Sequence, residues 1–200
     1  MRKKRISINL FIIALLLLMS SVVSADTWFM HRSNKFNSIL TAYYDSSVAT
    51  YGYTSAYDDA RARWGGISSD VSISKTTSTN NNPDKYYIGT TASPTLIGRM
   101  IPYTKTSTGF ITEASVDDDW LYATVRMYYN NMNSFGMNYS QIVSNAVHEI
   151  GHSLKLAHPG QGTESSTPVP SGQYSVMNQG IQSIGPQSYD KNELIKKWGY

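Results

Sequence analysis

The stretch His148-Glu149-Ile150-Gly151-His152-Ser153-Leu154-Lys155-Leu156-Ala157-His158 holds three of the four histidines in a chain of 200 residues. It closes a segment, Asn138 to about Lys155, in which Ile142, Val143, Ala146, Val147, Ile150 and Leu154 recur at helical spacing. Asn138 with Gln141 three residues on reads as a capping-box start. On that helix His148 and His152 lie one turn apart and project from the same face. Two imidazoles so placed can share one Zn²⁺. A third nitrogen must come from outside the turn. His158 supplies it if the chain leaves the helix and bends back, and Pro159 keeps the helix from continuing. Three neutral ligands leave a fourth position for water, which marks a catalytic rather than a structural zinc. Glu149, next to a ligand, is placed to take a proton from that water and pass it to a leaving amine.

The rest of the chain reads outward from this helix. Upstream, Ser38–Tyr44, Val71–Lys75, Tyr86–Thr90, Leu96–Tyr103 and Leu121–Tyr129 are strand candidates. Pro102 favours an edge position for the fourth of them. Thr54–Trp64 reads as a helix capped by Thr54 or Ser55, with acids early, Arg61 and Arg63 late, and Gly65-Gly66 as its stop. Tyr57, Ala60 and Trp64 share its buried face. Asn130–Gly136 reads as a turn, and Thr76–Asp84 as a loop. Downstream, residues 159–188 are Gly-, Ser-, Pro- and Gln-rich and irregular, and Ser188–Trp198 closes the chain as an amphipathic helix with Leu194, Ile195 and Trp198 inward. This order implies an α+β or α/β fold with one mixed sheet.

Four of the 17 bases (Arg2, Lys3, Lys4, Arg5) precede a short apolar run, Leu10–Met19, and the small residues Val23-Ser24-Ala25. That is the pattern of a cleaved secretory signal, with a single membrane anchor as the alternative. No acid precedes Asp26, so residues 26–200 carry 13 bases against 14 acids, near −1. Nucleic-acid binding by bulk charge is not expected. The expected mature chain is secreted, monomeric and free of the membrane. It contains no cysteine, which excludes disulfides, thiolate metal sites and cysteine nucleophiles.

On these residues the chain resembles the metzincin clan of zinc endopeptidases, and within it the matrixin-type catalytic domain. The resemblance runs from about Ser38 to Gly199. The zinc motif H-E-x-x-H-x-x-G-x-x-H is matched except that Lys155 stands where the family has glycine. Gln179 stands where astacin- and serralysin-like relatives carry a tyrosine, which favours the matrixin-like branch. The resemblance implies a mixed, mostly parallel twisted sheet with two long helices. It also implies an N-terminal catalytic subdomain over residues 26–158. A small irregular C-terminal subdomain, residues 159–200, would hold a methionine turn and the final helix. It implies His148, His152 and His158 as zinc ligands, Glu149 as the catalytic residue, and Met177 in Tyr174-Ser175-Val176-Met177-Asn178 as the support beneath them. Protein or peptide substrates are implied, added along Leu96–Pro102 as a further strand. Many matrixins are silenced by a propeptide cysteine, and this chain has none.

Other readings stand beside these. Asp117-Asp118-Asp119 can offer carboxylates to Ca²⁺, or form a solvated acidic turn. His31, in a polar segment, reads as exposed, and Asn138-Tyr139-Ser140 is a glycosylation sequon. Glu193 or Glu164 can replace His158 as a third ligand in a thermolysin-like site. The chain can also be a secreted zinc-binding protein that does not cleave, although a structural site needs no base at Glu149.

Overall fold

The structure, a computed structural model, describes residues 39–162 and 168–199. The signal-like segment, His31, Ser38 and Glu164 lie outside the described residues. Six strands form one sheet: β1 Ile39–Tyr44, β2 Ser72–Thr76, β3 Asp84–Gly89, β4 Gly98–Lys105, β5 Ile111–Glu113 and β6 Tyr122–Tyr128, in the order β2-β1-β3-β6-β4-β5. The first four in that order are parallel; β4 runs antiparallel to both β6 and β5. This is the one mixed sheet expected from the element order, and mostly parallel as the resemblance implies.

Two helices cover one face. α2, Thr54–Trp64, has the predicted bounds, and its Tyr57, Ala60 and Trp64 are fully buried. Its cap differs from expectation. Tyr53 is the N-cap without a side-chain bond, and no acid lies in the first turn. The Tyr53 carbonyl instead receives the Tyr57 N–H, and Asp58 pairs with Arg61 on the exposed side. α4, Tyr139–Ser153, begins at the predicted box: Gln141 N–H donates to Asn138 Oδ1 at 3.0 Å and Asn138 N–H to Gln141 Oε1 at 2.9 Å. Inward residues of both helices meet Tyr86, Ile88, Val125 and Met127 of the sheet in a single core. Full burial of each such large side chain contributes roughly 1.5–3 kcal/mol.

Three short elements escape the sequence pattern: α1 Ser46–Thr50, α3 Tyr129–Ser134 and β5. Of the expected turn at 130–136, residues 130–134 are helical and only 135–136 turn; the buried Asn131 amide anchors the helix by donating to the carbonyls of Ser93 and Leu96. β5 shifts β4 from the expected edge to an inner position, but it pairs only with Tyr103–Lys105. The Pro102 carbonyl faces β5 and accepts from Ala114 N–H at 3.0 Å. Backbone groups alternate sides along a strand. Those of Gly98 and Met100 therefore face outward with Pro102, beyond the reach of β5.

α5, Ser188–Trp198, packs back on the end of α4, where the Trp198 indole donates to the Leu154 carbonyl at 2.9 Å. No helix among the described residues is long and apolar enough to cross a membrane.

Candidate functional site

α4 carries His148 and His152 on one face. The helix then ends in a Schellman motif: Leu156 N–H bonds the Gly151 carbonyl and Lys155 N–H the His152 carbonyl, both at 3.0 Å. The motif needs a left-handed residue between them, and Lys155 takes it at φ 74°. For a residue with a Cβ this costs roughly 1–2 kcal/mol. The lysine bears the strain, and the turn keeps the form a glycine would give it. The reversal brings His158 back to its two partners.

The three imidazoles are oriented from behind. His148 Nδ1 donates to the Val176 carbonyl at 2.8 Å, His152 Nδ1 to the Leu156 carbonyl at 2.8 Å, and His158 Nδ1 lies 3.1 Å from Gln161 Oε1. Carbonyl oxygens only accept, so Nδ1 of His148 and of His152 carries the proton and their Nε2 atoms present lone pairs. His158 Nδ1 lies between Gln161 Oε1 and the Gln179 amide nitrogen, the latter at 3.3 Å. The three Nε2 atoms lie 3.1, 3.1 and 3.2 Å apart. Lone pairs facing one another repel unless a cation sits among them. Their spacing is close to the ~3.3 Å edge expected for tetrahedral zinc with Zn–N near 2.0–2.1 Å. The residues present therefore fit a zinc ion, and the histidines form a cluster able to hold a metal. Burial also depresses each imidazole's pKa, that of His148 to about 4, which keeps all three neutral and ready to ligate.

Glu149 points to the other side of the cluster, into the sheet end of the same cleft. It is buried, and desolvation raises its pKa to about 8 against a hydrogen bond from the Met100 backbone. Gly98 of β4 lies so close that a Cβ there would sit 2.7 Å from Glu149 Oε1. The cleft, about 650 Å³, runs between the start of β4 and the Val176–Gln182 segment. Asn145 fixes one end of it by donating to the Ile97 carbonyl at 3.1 Å.

Met177 is buried beneath α4, with its thioether against Gly151 and Trp64. Gly151 is there because a Cβ would run into Met177 Sδ. The turn that holds Met177 is itself held by Asp190 of α5. Asp190 accepts from Ser175 Oγ, from Val176 N–H at 2.9 Å and from Gln187 N–H at 2.7 Å.

Glu193, the other candidate ligand within the described residues, is not in the histidine cluster and pairs with Lys196 at 2.8 Å. Sequence reading missed Asp190, Gly98 and the Val176 carbonyl. An acid three residues after Gln187 is a capping signal that points to Asp190; a backbone carbonyl leaves no mark in the sequence.

No protein-family model matches the chain, and no curated protein matches it significantly. Among solved structures it is similar to high choriolytic enzyme 1, a hatching enzyme zinc-protease from Oryzias latipes (medaka fish). The TM-score is 0.46 and the identity 11%, over 84% of this chain and 92% of that chain.

Proposed function

We propose that the chain is a secreted zinc-dependent endopeptidase of the metzincin kind, matrixin-like at its site, that hydrolyses peptide bonds in proteins. The observation that supports this is the meeting of three Nε2 atoms, with the rings of His148 and His152 fixed by backbone carbonyls at Nδ1, at the floor of a cleft that also holds Glu149.

A zinc ion held by His148, His152 and His158 supplies Lewis acidity, activating water and polarising a carbonyl. Glu149 supplies the proton traffic. It takes a proton from the attacking water and delivers it to the leaving nitrogen. Its burial makes it a stronger base than a solvated carboxylate, and a neighbouring cation returns it to the ionised form at neutral pH. The outward-facing backbone of Gly98 and the carbonyl of Met100 can hold an extended peptide as an added strand, the Met100 N–H being bonded to Glu149. Glu149 then lies beside that strand, because Gly98 has no side chain to separate them.

The test is cleavage of casein by residues 26–200, with and without a chelator. Wild type should cleave and lose activity with its zinc. Glu149→Ala should keep zinc and lose roughly 10²–10⁴-fold in rate. Chelator-resistant cleavage, or full activity of Glu149→Ala, would refute the reading. His158→Ala should lose zinc while Glu193→Ala keeps it; the reverse would favour a thermolysin-like ligand set.

A further inference from the structure

Lys155 breaks the zinc motif, bears a left-handed backbone, and is fully buried. A buried lysine needs partners for its charge. Its Nζ donates to the carbonyls of Asp118 at 2.9 Å and Val116 at 3.2 Å, and lies 3.3 Å from the centre of the Trp120 ring. Carbonyls from alternate residues and an aromatic face two residues on thus surround one ammonium. The segment is also acidic, with Asp117, Asp118 and Asp119 in sequence. Oxygen-rich, acidic loops of this kind are what hard cations bind. Here the cation is tethered to the chain.

The cradle faces the cleft. Val116 lines it. Val116 and Trp120 pack with Met100 and Ala123 in a small hydrophobic cluster beside the main core. Met100 is the strand residue whose backbone meets Glu149. Lys155 therefore links the turn that returns His158 to the wall that flanks Glu149.

We infer that Lys155 is a positioning residue: its ammonium is the built-in cation of the Val116–Trp120 loop, and it holds that loop as a wall of the cleft. Against the strain at Lys155 stand the contacts its side chain makes with the loop. A glycine there would relax the backbone and leave the cradle without its cation.

The kinetic arm of the test rests on the peptidase reading; the exchange arm does not, so failure of one is distinguishable from failure of the other. Lys155→Gly suits the turn, so the fold and zinc content should persist. Hydrogen exchange at residues 116–120 should rise roughly ten- to a hundredfold with loss of the charge-assisted bonds. On a peptide substrate KM should rise with little change in kcat. Ethylammonium should restore protection in Lys155→Gly, whereas sodium chloride at equal ionic strength should not. Lys155→Met, which keeps the stem without the charge, should behave like Lys155→Gly without rescue. Wild-type protection in Lys155→Gly would overturn the inference. So would wild-type protection in Lys155→Met, which would reduce Lys155 to packing.

Discussion

Asp190 Oδ2 accepts the Val176 N–H at 2.9 Å, and the carbonyl of the same Val176 accepts His148 Nδ1 at 2.8 Å. The Val176 backbone thus connects the closing helix to the histidine cluster. Truncation of Asp190 removes the acceptor of three donors, of which Ser175 Oγ and Val176 N–H are buried. Asp190→Ala should lose roughly 2–4 kcal/mol of stability. Zinc affinity should fall roughly 10- to 100-fold, as it does when an outer partner of a ligand is lost. Urea unfolding and competition with a chelator measure the two effects. Stability loss with unchanged zinc affinity would show that the link stops at the turn.

Gly151 and Met177 occupy shared space. A Cβ at Gly151 would run into Met177 Sδ and lie 2.9 Å from Trp64 Cζ2. Gly151→Ala should cost roughly 1–3 kcal/mol through overpacking. The penalty should shrink in a Met177→Ala background, because the two changes share one cavity. Additive effects in denaturant melts would count against the contact.

Gly98 and Glu149 are nearly as close. A Cβ at Gly98 would be 2.8 Å from Glu149 Cγ as well as near its carboxylate. Gly98→Ala should leave zinc content and thermal stability near wild type but displace Glu149, lowering kcat by at least roughly tenfold. Wild-type turnover in this variant would mean that Glu149 does not act where it lies.

Stripped of metal, the chain should have a stability maximum near pH 6.5. Burial lowers the pKa of His148 from 6.5 to about 4 and depresses His152 and His158 as well. The unfolded chain then binds protons that the folded one refuses, so stability rises as pH climbs from about 4 to 6.5. Glu149 acts in the opposite sense. With its pKa raised from 4.5 to about 8, the folded chain holds the extra proton, and stability falls as pH rises through that window. Below pH 6.5 the three histidines outnumber Glu149 and Asp190, whose pKa burial also raises; above it the histidines no longer contribute and Glu149 governs the decline. Urea midpoints across pH with chelator should trace the dome. Added zinc should abolish the alkaline decline, since a cation favours the ionised carboxylate.

Much of this architecture was legible in advance where the determining contacts are local. α2 and α5 have their predicted bounds, and α4 starts at its predicted cap, because helical periodicity and capping involve residues three and four apart. The strands were found within about two residues. α3 was missed because Asn131 finds its partners some 35 residues away, at the carbonyls of Ser93 and Leu96. β5 was missed because all three of its residues are exposed and leave no alternation to read.

Local spacing alone sets His148 and His152 on one helical face with Glu149 beside them, and requires Lys155 either to bear strain or to alter the turn. Each follows from spacing along one helix or from the φ of one residue. That the lysine bears the strain, reaching Val116 and Asp118 as it does so, emerges only from packing. The same holds for the Val176 carbonyl that orients His148, the Asp190 that holds Val176, and the Gly98 that gives Glu149 room. These are contacts between backbone groups and buried side chains distant in sequence, and they exist only once the sheet, the helix and the final segment have packed together.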